Sequence, residues 1–275
     1  MGLTQKIGFV GGGRMAEALV KGMLASGLTQ AKYLVAADPS KERRDTLARD
    51  YRIKTHATAD KVWQECEIVI LAVKPQVVKA VLTESRELVT ANHLIVSIAA
   101  GVPLALLEGC LSHCQARVIR VMPNTPALVL AAASALSPGR YAIAQDLERA
   151  KAIFDAVGTS VVLDEWYLDA VTGLSGSGPA YVFSFLEALT DGGVKVGLAR
   201  PVAEALALQT ILGSVQLALE TKSHPAELRA MVTSPGGTTI AGLHALERGA
   251  FRGLVMDAVE AATRRSRELA KGSAD

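Results

Sequence analysis

The chain has 275 residues, 29 Lys+Arg against 27 Asp+Glu, 50% hydrophobic and 20% charged residues. This composition excludes disordered and collagen-like chains, and a formal net charge of +2 gives no electrostatic reason to expect nucleic acid or a membrane surface. Three cysteines cannot form a disulfide framework, so a cytoplasmic location is expected. No charged leader with an apolar run and cleavage site is seen at the N-terminus. The richest apolar stretch seen, residues 127–136, is about half of the roughly 20 residues a membrane span needs, so no membrane association is expected.

The first half alternates strand-like and helix-like segments. Strands are expected at residues 6–10, 33–37, 67–73, 93–98, 117–121 and 160–163. Helices are expected near 15–25, 40–49, 77–88, 103–111 and 147–157. Alternation at this pitch implies βαβ units and a doubly wound, mostly parallel sheet. Residues 67–73 form a continuous apolar run of the kind buried on both faces. From 167 to 270 only helical periodicity is found, broken by Gly and Pro into five or six helices. The expected organisation is a dinucleotide-binding domain over 1–164 and an all-helical domain over 165–275.

Gly11-Gly12-Gly13-Arg14-Met15-Ala16, directly after the first strand, fits Gly-x-Gly-x-x-Ala. Gly11 suits the tight turn, Gly13 the approach of a pyrophosphate, and Ala16 close helix–strand packing. The helix start would supply N–H groups to the phosphates. Asp38 ends the second strand, where an acid bonds the ribose hydroxyls of NAD and repels a 2′-phosphate. Ser40, Lys41, Arg43 and Arg44 beside it could instead hold that phosphate, or Asp38 and Ser40 could merely cap the next helix. Lys74-Pro75 follows the 67–73 strand at a ligand-binding sheet edge. Met122-Pro123-Asn124-Thr125-Pro126 follows another strand and makes a stiff polar loop.

In the helical half, the small residues of Gly173–Ala180 suit close helix packing. Ser234-Pro235-Gly236-Gly237-Thr238-Thr239 opens a helix and presents N–H groups and hydroxyls fit for a small carboxylate, or an ordinary capped turn. Cys110, His113 and Cys114 lack a fourth ligand at a suggestive spacing, so no metal is expected.

These motifs together resemble the pyrroline-5-carboxylate reductase family. The carriers are Gly8–Gly13, Leu71–Gln76, Val121–Pro126, Thr172–Tyr181 and, most specifically, the run from Pro225 to Glu247. The resemblance implies an N-terminal Rossmann domain and an all-α C-terminal dimerisation domain that interlocks with its copy, some members assembling further into decamers. It implies an active site at the domain junction, walled partly by the neighbouring chain. Val10, Gly11, Gly12, Gly13, Arg14 and Met15 would cradle the pyrophosphate, with Asp38 and Ser40 near the ribose. Ala72, Val73, Lys74 and Pro75 would line the nicotinamide side. Gly236, Gly237 and Thr238 would hold the substrate carboxylate, and Thr239 would bond the ring nitrogen. Asn124 and Glu165 are further candidate substrate contacts, and Thr239 and Lys74 the candidate catalytic residues.

The implied reaction is hydride transfer from NADPH or NADH, NADPH favoured, to a cyclic imine, giving L-proline. This chain departs from many relatives at Ala59 and Met231, near the cofactor site. A hydroxyacid dehydrogenase of similar layout carries a lysine and an asparagine where this chain has Val182 and Leu186. The alternatives are a reductase of another cyclic imine and a non-catalytic cofactor-binding sensor.

Overall fold

The computed structural model describes residues 2–272. In chain order the elements are β1 (Ile7–Val10), α1 (Arg14–Ala25), β2 (Leu34–Ala37), α2 (Lys41–Tyr51), β3 (Lys54–His56), α3 (Asp60–Glu65), β4 (Ile68–Leu71) and α4 (Pro75–Glu84). They continue with β5 (Leu94–Ser97), α5 (Leu104–Cys110), β6 (Arg117–Met122), β7 (Ala132–Pro138), α6 (Ala144–Asp155) and β8 (Gly158–Val162). After a short 3₁₀ turn at Glu165–Tyr167 come α7 (Leu168–Val171), α8 (Gly178–Lys195), α9 (Arg200–Thr221), α10 (Pro225–Met231), α11 (Thr238–Arg248) and α12 (Phe251–Gly272). Contacts divide the described chain into one unit of residues 2–177 with 260–272, and a second of residues 178–259. The division falls inside the helical region expected from residue 165, because the segment after the 3₁₀ turn packs with the sheet.

The first unit is built on an eight-stranded sheet of order β3-β2-β1-β4-β5-β6-β7-β8. All neighbours are parallel except β6 and β7, which run antiparallel. The first six strands have the order of a dinucleotide-binding fold, whose crevice opens where the order reverses, between β1 and β4. Alternating side chains divide the core. Ile7, Phe9, Ile68 and Ile70 join α1 and α6 on one face. Val10, Val69 and Leu71 join Val62, Trp63, Val78 and Leu82 of α3 and α4 on the other. Both faces are covered, which is why β4 reads as an unbroken apolar run.

Three elements escape the sequence reading. β3 is Lys-Thr-His and offers no apolar pattern. α3 is a single short stretch of six residues. β7 is Ala-Ala-Ser-Ala-Leu-Ser-Pro, poor in strand-favouring residues; its burial between β6 and β8, not propensity, makes it a strand.

The second unit contains α8, α9, α10 and α11 and the start of α12, with α8 and α9 packed as a helical hairpin. Pro225 starts α10, and His224 and Glu227 cap it reciprocally. Across residues 178–259 only Thr190, Ala203 and Ala207 are buried. α9 is apolar nearly all round, and its 22 residues are long and apolar enough to cross a membrane by length and composition. It corrects the expectation that residues 127–136 are the richest apolar stretch; three scattered charges, Arg200, Glu204 and Glu220, had hidden it.

Candidate functional site: a cleft at the reversal of strand order

A cleft of about 760 Å³ lies beyond the C-terminal ends of β1, β2 and β4. Its walls include Val10, Gly11, Gly13, Asp38, Ala72 and Lys74. A smaller cleft of about 390 Å³ shares Gly13, Ala72, Val73 and Lys74, and adds Arg14, Met15, Asn124 and Gly176. Most of the expected cofactor residues therefore meet along one edge of the sheet. Gly12, Ser40 and Pro75 line neither cleft.

The glycine loop has a local cause. Gly11 has φ +101°, and a Cβ there would stand 2.5 Å from the Ala72 carbonyl oxygen, so β4 and the turn approach too closely for any side chain. Gly13 differs: a Cβ there would meet nothing within 4 Å of protein. It caps α1 without a side-chain bond, leaving the first N–H groups of a 12-residue helix at the cleft. A bare backbone at Gly13, free helix N–H groups and the reversal of strand order are what a dinucleotide pyrophosphate requires. The residues present fit that group.

Behind the loop stands a polar network. The Gly12 N–H donates to Asp38 Oδ2 at 2.7 Å, and the Ser40 N–H to Asp38 Oδ1 at 2.8 Å. Arg43 Nε donates to the Gly12 carbonyl at 2.8 Å, and its Nη2 pairs with Glu17 at 2.6 Å. Tyr51 donates to the same Glu17 at 3.2 Å, and burial, then the Glu17 carboxylate, push its phenol above the usual range. Ser40 caps α2, accepting from the Arg43 N–H. The capping alternative thus describes Ser40, while Asp38 ties the loop to β2 and still lines the cleft.

Lys74 is exposed, lines both clefts, and sits at the N-cap of α4 with Pro75 in the first turn. Asn124 is only 9% exposed. Its Nδ2 donates to the Ser175 carbonyl at 3.0 Å, and its Oδ1 accepts from the Ala133 N–H at 2.9 Å. One N–H and one lone pair of the amide tie the loop to β7 and to the π-helical turn Thr172–Gly176, so Asn124 positions that wall, and it still lines the smaller cleft. Gly176 packs there against Met122, where a Cβ would fall 2.5 Å from the Met122 Cε. Glu165, carried over as a substrate contact, accepts from the Leu104 N–H at 2.6 Å and from Arg120 at 2.8 Å. It anchors the start of α5 to β6.

In the second unit, Gly236 has φ +66° and Gly237 is the N-cap of α11. The Gly237 N–H donates back to the Ser234 carbonyl at 3.1 Å, while α11 begins with Thr238 and Thr239 and has no side-chain cap. The helix start is thus open to an acceptor, with the two threonines in its first turn.

Ala59, expected near the cofactor site, does line the cleft, but sequence reasoning missed Ala57 and Thr58 beside it. They follow β3, the strand it did not find. Among the described residues no group of three or more His, Cys, Asp or Glu is placed to hold a metal. Burial pushes the Cys66 thiol up to about 12.

Residues 165–269 match the family model described as pyrroline-5-carboxylate reductase dimerisation. Residues 6–101 match the one described as NADP oxidoreductase, coenzyme F420-dependent. A pyrroline-5-carboxylate reductase of Arabidopsis thaliana is 47% identical over 266 residues, covering 97% of this chain and 96% of that protein. One from Methanosarcina acetivorans is 46% identical, covering 98% and 99%. The solved structure of a Coxiella burnetii pyrroline-5-carboxylate reductase superposes with a TM-score of 0.92 at 36% identity, covering 97% of this chain and 99% of that one. A Plasmodium falciparum structure with NADP bound gives 0.88 at 32% identity, covering 98% and 100%. With its strand order, its cleft and this likeness over nearly its whole length, the chain belongs to the pyrroline-5-carboxylate reductase family.

Proposed function

We propose that this protein reduces 1-pyrroline-5-carboxylate to L-proline at the expense of a reduced nicotinamide dinucleotide. The observation that carries the reading is the likeness to pyrroline-5-carboxylate reductases across 97% of the chain and 96% of the Arabidopsis protein. The cofactor supplies the hydride. The protein's own work is to bind and align, because a protonated imine is already electrophilic.

The open N–H groups at the start of α1 hold the pyrophosphate, with Gly13 leaving it room. Ala72 and Val73 wall the nicotinamide side, and Lys74 places a positive charge beside it that attracts the anionic substrate. The start of α11, with Gly236, Gly237 and Thr238, holds the substrate carboxylate. The Thr239 hydroxyl accepts the hydrogen bond of the imine N–H, fixing the ring and helping keep it protonated. No strong acid–base pair is needed.

The working form is a homodimer, made through the exposed helical unit. α9 then faces a second copy, not lipid; the dimerisation model spans it, which supports that choice. A cytoplasmic site is supported by the three cysteines, all free thiols. The test is nicotinamide oxidation by purified protein with pyrroline-5-carboxylate. Turnover is expected, and Thr239→Ala should lower it more than it weakens cofactor binding. Cofactor binding with no turnover of this imine would sink the reading and favour another cyclic imine.

A further inference from the structure

The two nicotinamide dinucleotides differ by one phosphate on the adenosine ribose, so discrimination must lie in the side chains at the β2 end of the cleft. In the sequence Lys41, Arg43 and Arg44 could hold that phosphate, and the structure shows where each cation goes. Arg43 is bound to the Gly12 carbonyl at 2.8 Å and to Glu17 at 2.6 Å. Arg44 donates to the Asp38 and Pro39 carbonyls at 2.7 and 2.8 Å. Lys41 points to Asp45 at 2.9 Å in an open surface pair. None of the three lines the cleft. The charged residues that do line its β2–β3 side are both acids, Asp38 and Asp60; the cleft's one lining cation, Lys74, follows β4.

We propose that this cleft selects NADH over NADPH, with Asp38 as the specificity-determining residue and Asp60 reinforcing it. The inference rests on the reductase reading only in taking a nicotinamide dinucleotide as the cofactor. Asp38 is fixed in place by the Gly12 and Ser40 N–H groups, one on each oxygen. Each carboxylate oxygen keeps a further lone pair for a ribose hydroxyl. A 2′-phosphate in the same place carries about −1.5 to −2 charges near pH 7. It would face a carboxylate that cannot swing away without releasing the glycine loop. To gain a cation it would have to pull Arg43 off the Gly12 carbonyl and Glu17, dismantling the network that shapes the pyrophosphate site. One side chain therefore does two things: it braces the loop and excludes the phosphate.

The experiment is direct titration of purified protein with NADH and with NADPH, without substrate, following nicotinamide fluorescence. Turnover of pyrroline-5-carboxylate with each is measured in parallel. NADH should bind at least about tenfold tighter, the scale of a like-charge clash at a partly screened site. ADP should outcompete 2′,5′-ADP in the same way. Asp38→Ser should move the ratio of the two dissociation constants toward NADPH by about tenfold or more. The ratio is the readout, because a loosened glycine loop weakens both dinucleotides alike. Asp60→Asn, which leaves the loop network intact, should move it the same way by a smaller factor. NADPH binding as tightly as NADH to the unaltered protein, or a ratio unmoved by Asp38→Ser, overturns the inference. Preference for NADH without turnover of the imine would leave it standing and remove the proposed substrate. Turnover with preference for NADPH would do the reverse.

Discussion

The sheet unit and the helical unit solve the burial problem in opposite ways. Strands β1, β2, β4 and β5 are buried at every position, with helices on both faces. Between residues 178 and 259 only Thr190, Ala203 and Ala207 are buried, while Leu219 is 71% exposed. The first unit carries its own hydrophobic stabilisation. The second has the composition of a core and almost no interior, so its stability must come from a covering partner. The family's dimerisation model over residues 165–269 names the kind of partner that would cover it.

The strongest way to break this contrast is a charge in the uncovered helix. Leu208, Leu212, Val215 and Leu219 of α9 recur at helical spacing and are all exposed. Covering each leucine is worth roughly 1.5–3 kcal/mol, and a lone carboxylate buried among them costs several more. Leu212→Glu should therefore reduce the sedimentation mass to that of one chain at concentrations where the unaltered protein is oligomeric. An unchanged mass would show that α9 is not covered by a second copy.

The sheet unit should answer to backbone changes instead. Gly11→Ala forces a side chain onto φ +101° and to 2.5 Å from a carbonyl oxygen. The cost is about 1–2 kcal/mol for the backbone and roughly 1–3 for overpacking, visible as a lower denaturant midpoint. Gly13→Ala meets no protein atom within 4 Å. It should hold that midpoint within about 0.5 kcal/mol while weakening dinucleotide binding by about tenfold or more. If both variants lose stability equally, the free space beside Gly13 is not a ligand's.

The same contrast explains what could be read in the sequence. Five strands and the glycine turn were legible because a doubly covered parallel sheet writes its burial as apolar runs, and the mostly exposed β8 was legible by its β-branched residues. β3 and β7 were not, because a Lys-Thr-His edge strand and an alanine- and serine-rich strand are made by their neighbours. Asp38 was visible as a residue, but not the two N–H groups that fix it, which belong to Gly12 and Ser40. Asn124 and Glu165 were visible as polar residues near the right loops. Their hydrogen bonds, to Ser175, Ala133, Leu104 and Arg120, join segments far apart in the chain.

Glu165 gives a smaller but sharper test. Arg120 is 8% exposed at its side chain and Glu165 31%. A fully buried pair costs roughly 3–5 kcal/mol to break, so Glu165→Gln, at a partly wetted site, should cost about 2. Thermal melts should show the loss, with the KM for the imine unchanged. A raised KM at unchanged stability would instead make Glu165 a substrate contact.

The smallest effect sits at the sheet's far edge, where Val161 and Val162 of β8 are exposed and the strand is held partly by charge. Asp155, ending α6, takes hydrogen bonds from Lys151 and from Ser160 of β8. Burial works to raise its pKa, but Lys151 and Ser160 outweigh burial and leave the carboxyl below its usual range. A depressed folded value means that its contribution is complete above the unfolded carboxylate pKa of about 3.9 and is lost as pH falls through the folded value. Both partners of the ion pair are two-fifths or more exposed, so Asp155→Asn should cost about 0.5 kcal/mol at neutral pH. Denaturant midpoints of the two proteins should converge once the pH drops below the carboxylate range. A gap that persists there would assign the contribution of Asp155 to packing and hydrogen bonding of the neutral side chain, and the edge of the sheet would then be held as its centre is.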